Sequence, residues 1–303
     1  MTEQTQAKAA SLSAEAQRSS KGPAARRKGK KSLSGTLLHI ALIVLCLIWI
    51  YPFLWMVAAS FKTKDEFFTK GLSLLPASFD LSNFARAWRE GHFEQYFLNS
   101  VVITVCVIAI VLFMTATCGY AIGRYSFTGK KWVVTLFAAS IFVPLEFAII
   151  PIFELIKGLG LTNSLLGVIL AESGGSHLVF VLLFAGFFRQ IPKELEDSAI
   201  TDGCGYVRTF AQIMLPLASP IVGSAVIMQF IWTWNSFLLP LVLTLSNPAL
   251  RPLAVGLYAL RGENIVDWTG IAAGGTIAIV PIVVIFLLLQ RYFVDGIAGA
   301  VKG

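Results

Sequence analysis

The chain has 303 residues, of which 56% are hydrophobic and only 14% charged, and its formal net charge is +7. A soluble domain carries about a quarter charged residues, so this composition excludes an ordinary water-soluble domain and leaves room for several membrane spans of about 20 residues each. The positive balance does not describe a nucleic-acid surface, because eight of the 24 Lys and Arg lie in residues 1–31.

Residues 1–31 are rich in Ala, Ser, Gln, Lys and Arg without apolar periodicity, and read as a disordered basic tail. The apolar run after Arg26-Arg27-Lys28 and Lys30-Lys31 is too long for a signal peptide, and no small-residue cleavage site follows it. A cytoplasmic anchor is the expectation, followed by a single transmembrane domain over residues 32–303. Six spans are expected: Leu33–Ser60, Tyr96–Gly123, Trp132–Ile156, His177–Phe188 with a backward extension toward Leu165, Ile221–Leu245 and Gly270–Gln290. The class is therefore an all-α polytopic membrane protein. With the N-terminus inside, the inside segments hold 16 Lys and Arg and the outside segments eight. The positive-inside rule selects that orientation, with both termini cytoplasmic.

The four cysteines form no CxxC pair, and the three histidines are far apart. Neither a disulfide framework nor a metal site is expected. No GxxxxGK[ST], GxSxG or HExxH occurs, so nothing supports an enzyme or a bound nucleotide.

The most informative stretch is the charged island Arg189–Pro220. Pro192 fits a first helical position, and Glu194, Glu196 and Asp197 complement the positive end of the helix dipole. Leu195 and Ala199 share a face. Asp202-Gly203 stops this helix, since glycine takes the left-handed conformation of a C-terminal cap. A second helix places Tyr206, Val207, Phe210, Ile213 and Met214 on one apolar face and ends near Pro216. Lys193 is the only base of the first helix, which favours insertion into a protein groove over adsorption to anionic lipid.

The same stretch resembles the EAA loop of binding-protein-dependent ABC importer permeases: E-A-A, three residues, Gly, nine residues, Ile, one residue, Leu-Pro. Here the matching positions are Asp197-Ser198-Ala199, Gly203, Ile213 and Leu215-Pro216. Asp197 replaces Glu and Ser198 replaces Ala. Trp232-Thr233-Trp234-Asn235-Ser236-Phe237-Leu238-Leu239-Pro240 resembles the TWNxFLxP stretch of the sugar-importing subfamily. Phe97–Ser100, Ile191–Glu196, Leu289–Val294 and Gly299–Gly303 match its MalG-like members. The similarity covers about residue 37 to the end. It implies a MetI-like permease core that pairs with a second, related permease. It further implies two copies of an ATPase subunit, which use ATP and Mg, and an extracytoplasmic sugar-binding protein. Glu196, Asp197, Ser198, Ala199, Asp202, Gly203, Ile213, Leu215 and Pro216 would then couple the chain to its ATPase. No cofactor is expected on this chain.

Three residues are candidates for a substrate path. Glu146 is the carboxylate inside an apolar span, between Pro144 and Pro151, and ionisable groups there are costly. Trp234 and Asn235 suit a sugar, but helix packing is the favoured account of them. The competing class is an ATP-independent secondary transporter, which Glu146 fits, though no internal repeat supports it.

Overall fold

The computed structural model describes residues 33–301 apart from 90, 143, 176 and 261–265, so the basic tail lies outside the described residues. The chain divides into two compact units, Met1–Pro52 and Phe53–Gly303. The described part of the first unit belongs to helix α1, Leu33–Ala59. Its side chains are apolar on every side, and Leu37, Ile48 and Trp49 are all exposed. A helix hydrophobic all round is a membrane span when nothing covers it.

All regular secondary structure among the described residues of the second unit is helical. Two short helices, α2 (Lys64–Thr69) and α3 (Ser82–Arg89), precede the 32-residue α4 (Phe93–Arg124). Then come α5 (Lys130–Ser140), a 3-10 turn (Leu145–Ala148), α6 (Ile149–Gly158), α7 (Leu165–Ser173) and α8 (Leu178–Gln190). The loop segment forms α9 (Glu194–Thr201), α10 (Tyr206–Thr209), a π turn (Phe210–Met214) and α11 (Leu215–Leu217). The chain closes with α12 (Ser219–Trp234), α13 (Leu238–Leu243), α14 (Leu253–Ala259) and α15 (Trp268–Val301).

Three helices are long and apolar enough to cross a bilayer, Gly35–Ala59, Phe93–Arg124 and Trp268–Tyr292, and up to five crossings result if each of two bent pairs counts as one. Two expected spans are not continuous helices. Residues 132–156 are divided into α5, the 3-10 turn and α6. The break falls at Pro144, whose ring removes a helix hydrogen bond and biases the preceding residue away from helix. The stretch 221–245 breaks after Trp234 and restarts at Leu238. The expected backward extension of the fourth span is present as α7, bent by 53° from α8.

Helix α4 is the hub. Its Ile103, Val107, Val111 and Ala116 pack with Phe180, Phe184 and Phe188 of α8. Gly119 and Gly123 stand one turn apart and face α8. A Cβ on Gly123 would lie 2.9 Å from the Ala185 carbonyl oxygen, and one on Gly119 would meet the Phe184 Cβ. Small residues at this spacing let two backbones approach closely in lipid. A second cluster joins α4, α12 and α14 through Phe93, Tyr96, Phe230, Trp234 and Leu253.

Residues 61–95, apart from residue 90, form a folded cap. Lys62 is fully buried, and its Nζ donates to the Ser73 carbonyl at 2.6 Å. Asn83 Nδ2 donates to the carbonyls of Ser60 and Lys62 at 3.0 and 2.8 Å. Arg86 Nε reaches Asp267 Oδ2 at 2.7 Å, just before α15. Each group is desolvated only because a partner is in place.

Candidate functional site

The loop after α8 has the geometry that its residues dictate. Gly203 sits at φ +80°, a left-handed conformation that costs an L side chain about 1–2 kcal/mol. The Cys204 N–H donates to the Ala199 carbonyl and the Gly203 N–H to the Ile200 carbonyl. These two bonds make a Schellman cap, as the Asp202-Gly203 pair requires. Nothing in the chain lies within 4 Å of a Cβ built on Gly203.

The second half of the loop differs from the single regular helix expected. The Leu215 N–H bonds to the Phe210 carbonyl, which closes the π turn. Pro216 has no N–H to offer the carbonyl four residues back, and this loosens the α register there. The extra residue divides the apolar positions. Met214 is fully buried, Phe210 and Ile213 pack against the core, and Tyr206 and Val207 face outward at 69% and 82% exposure. Phe210 lies against Tyr120 and Phe188.

The acidic residues also divide. Asp197, Ser198 and Asp202 are exposed, whereas Glu196 is turned into the protein. Its Oε2 pairs with Arg124 Nη2 at 2.6 Å, with both side chains at least nine-tenths buried. Tyr120 Oη donates to Glu196 Oε1, and Arg124 Nη1 donates to the carbonyls of Phe188 and Ile191. Glu196 therefore ties α9 to the end of α4. Ala199 is buried beneath α9, while Leu195 on the same helix is exposed. Leu215 is half-buried and Pro216 exposed. Ile200, Tyr206 and Val207 are exposed on either side of the Gly203 turn, as are Asp197 and Asp202.

The substrate-path candidates separate as well. Glu146 lies in the 3-10 turn Leu145–Ala148, and its side chain is outside the described residues. Trp234 is buried, donates from Nε1 to the Ala278 carbonyl at 3.0 Å and stacks on Phe230, all of which is helix packing. Asn235 is exposed and donates to the Ile231 carbonyl of its own helix. Their neighbours Trp232 and Ser236 instead line a cavity of about 310 Å³, together with Glu172, His177 and Gln229. Sequence reasoning missed Glu172 because it lies at the end of a nine-residue helix that reads as a connecting piece. It also missed Arg124, whose partner is 72 residues away. No group of three or more His, Cys, Asp and Glu suited to a metal is present among the described residues.

The chain is a helical protein with membrane-length helices, and its capped, acid-flanked loop is tied to the second of them through the Arg124–Glu196 pair. Residues 96–299 match the family model of the binding-protein-dependent transport system inner membrane component. The chain belongs to that family, as a multi-pass and non-enzymatic inner-membrane permease subunit. It is 36% identical to the probable ABC transporter permease protein YurM of Bacillus subtilis, over 84% of each chain. It is 35% identical to the arabinooligosaccharides transport system permease protein AraQ of Halalkalibacterium halodurans, over 92% of this chain and all of that one. It is 32% identical to the diacetylchitobiose uptake system permease protein NgcG of Streptomyces coelicolor, over 87% of this chain and 86% of that one. In fold it is similar to a chain of a bacterial ABC transporter that imports the acidic polysaccharide alginate, with a TM-score of 0.74, 21% identity, and coverage of 90% of this chain and 100% of that one.

Proposed function

We propose that the chain is the permease of an ATP-driven importer for a sugar or oligosaccharide. It pairs with a second homologous permease above two ATPase subunits, and receives its cargo from an extracytoplasmic binding protein. The carbohydrate names of the relatives support this cargo class. Six crossings fit the charge asymmetry, the third being made of α5 and α6 on either side of Pro144. The α9–α11 loop then faces the cytoplasm, and its Ile200–Tyr206–Val207 patch seats in the ATPase. Asp197, Ser198, Asp202 and Gly203 form the rim of that contact, Ala199, Ile213 and Leu215 hold the loop's shape from below, and Pro216 ends it at the surface. The observation that carries the reading is the split of the loop into a buried Arg124–Glu196 anchor and an exposed apolar tip. One half is fixed to the transmembrane bundle, and the other is left for a partner. Such an element transmits a push between two packed arrangements.

The test is co-purification of the tagged chain from membranes. Recovery of an ATPase and a sister permease is expected. A homo-oligomer that transports without ATP would overturn the reading in favour of a secondary transporter.

A further inference from the structure

A groove of about 390 Å³, lined by aromatic and apolar residues only, lies where α1, α2 and α15 meet. Trp268, Ile271, Ala272 and Gly275 form its long wall. Steps of three, four and seven residues put them on one face of α15, over about 10 Å of helix. The facing wall is the end of α1, with Trp55 and Met56. The two helices come close there, since a Cβ on Gly275 would lie 3.0 Å from Met56 Sδ. Phe67 of α2 bridges the walls, stacked on Trp268 at 6.2 Å and tilted against Trp55 at 5.6 Å between ring centroids.

Both walls belong to helices long and apolar enough to cross a bilayer, at the end of Gly35–Ala59 and the start of Trp268–Tyr292. The groove therefore lies at a membrane–water boundary, the level at which tryptophan collects. Trp55 has its polar edge satisfied there, because Nε1 donates to the Gly71 carbonyl at 3.2 Å. Trp268 and Phe68 remain 44% and 69% exposed. Apolar surface at that level is covered by acyl chains in preference to water.

A cation stands beside it. Lys64 precedes Phe67 and Phe68 by three and four residues, so one face of α2 carries both an ammonium group and the groove's phenyl rings. Its charge contributes to the lowered pKa of Asp267, the residue before Trp268, which places it near that end of the groove. Lys64 is exposed and has no ion pair among the described residues. The nearby acids are taken: Glu66 pairs with Lys70 and Asp267 with Arg86, while Asp65 lies about 100° round the helix from Lys64. Lys64 is thus free for an anion.

We infer that the groove is a phospholipid site: one acyl chain lies along the Trp268–Gly275 face of α15 against Trp55 and Met56, and the lipid phosphate pairs with Lys64. In the orientation proposed above, the lipid belongs to the outer leaflet. The site needs neither cargo nor ATP, so its failure would leave the importer reading standing.

The test uses the assembled complex in nanodiscs, with phosphatidylglycerol carrying a diazirine on one acyl chain as the probe. Photolysis followed by peptide mass spectrometry reads where the chain lies. Crosslinks are expected to concentrate on Trp55, Met56 and Trp268–Gly275, above those at Leu47 and Leu288, which are exposed on the same two helices. Ala272→Phe fills the groove and is expected to cut its crosslinks about tenfold, the scale of two methylenes displaced, without changing those at Leu47 and Leu288. Lys64→Glu alters an exposed position, and is expected to lower crosslinking about fivefold, the scale of one exposed ion pair. The same variant should leave unchanged the labelling by a diazirine diacylglycerol, which has no phosphate. Co-purification of the ATPase controls for assembly, and if Ala272→Phe does not assemble, the wild-type map and Lys64→Glu decide. Even labelling along α1 and α15, groove crosslinks unaffected by Ala272→Phe, or equal labelling of Lys64→Glu and wild type by phosphatidylglycerol overturns the site. So does capture of a sister permease, in place of lipid, by a photo-crosslinking amino acid substituted for Ile271.

Discussion

Removing the Glu196 carboxylate tests whether α9 is held by the bundle or only by its partner. In Glu196→Ala the Arg124 guanidinium loses its counter-charge while 7% exposed. Breaking a buried pair by removing one partner costs about 3–5 kcal/mol, because the remaining charge is stranded. Arg124 keeps its bonds to the Phe188 and Ile191 carbonyls, at 3.2 and 2.7 Å, so the lower end of that range applies. About 3 kcal/mol corresponds to roughly a hundredfold rise in the population with α9 detached. Limited tryptic digestion of the purified chain reads this directly at Arg208, which is exposed beyond the α9 turn, since cleavage of a transiently opened segment follows the open population. The control is Asp197→Ala, which removes an exposed carboxylate one residue away and is expected to change cleavage less than fivefold, within about 1 kcal/mol. Equal cleavage of Glu196→Ala and Asp197→Ala would refute the anchor.

Other outcomes follow from the same geometry. Gly203→Asn accepts the left-handed turn but adds volume where this chain has open space, so it should fold and insert yet lose ATPase co-purification; normal retention of the ATPase would mean that no partner covers the turn. Gly203→Asp, adding charge beside Asp202, should lose it further, with membrane abundance as the control. On intact cells, an impermeant thiol reagent should miss Cys204 and label Ser78→Cys, and the reverse pattern would overturn the orientation. At Asp267, burial pushes the carboxyl pKa up, but hydrogen bonds from Arg86 and the Gly270 N–H outweigh it and hold the value below the usual carboxylate range. A depressed native pKa gives stability that is complete above the unfolded value of about 4 and lost as pH falls through the native value. Unfolding of the cap, followed by digestion at residues 61–95, should therefore steepen below about pH 4, and Asp267→Asn should flatten that acid limb.

The loop was legible because its signals are local. Proline, a run of carboxylates, an Asp-Gly stop and a Leu-Pro end act within a turn or two, and α9 with its cap follows from them. The π turn was not legible, since one extra residue alters no composition or spacing rule yet separates Tyr206 and Val207 from Met214. The partner of Glu196 was hidden for a different reason. Arg124 is simply the first base after a long apolar helix, and only the approach of α4 to α8 brings it to the acid. Breaks within the expected spans, at Pro144 and again at Asn235, were not legible, because hydropathy averages across a break. The same averaging hid Glu172, on a helix too short to be read as part of a crossing.

The close contact at Gly119 and Gly123 makes a mechanical member out of two helices. With no room for a Cβ between them, α4 and α8 do not slide past each other without separating, and Arg124 bolts α9 across their shared end. A displacement delivered to α9 is then a torque on a stiff rod. For a 13-residue helix about 20 Å long, a tilt of 10° swings the opposite end by roughly 3 Å. That end carries His177. A tilt of that size would move the wall of the cavity by about the length of a hydrogen bond.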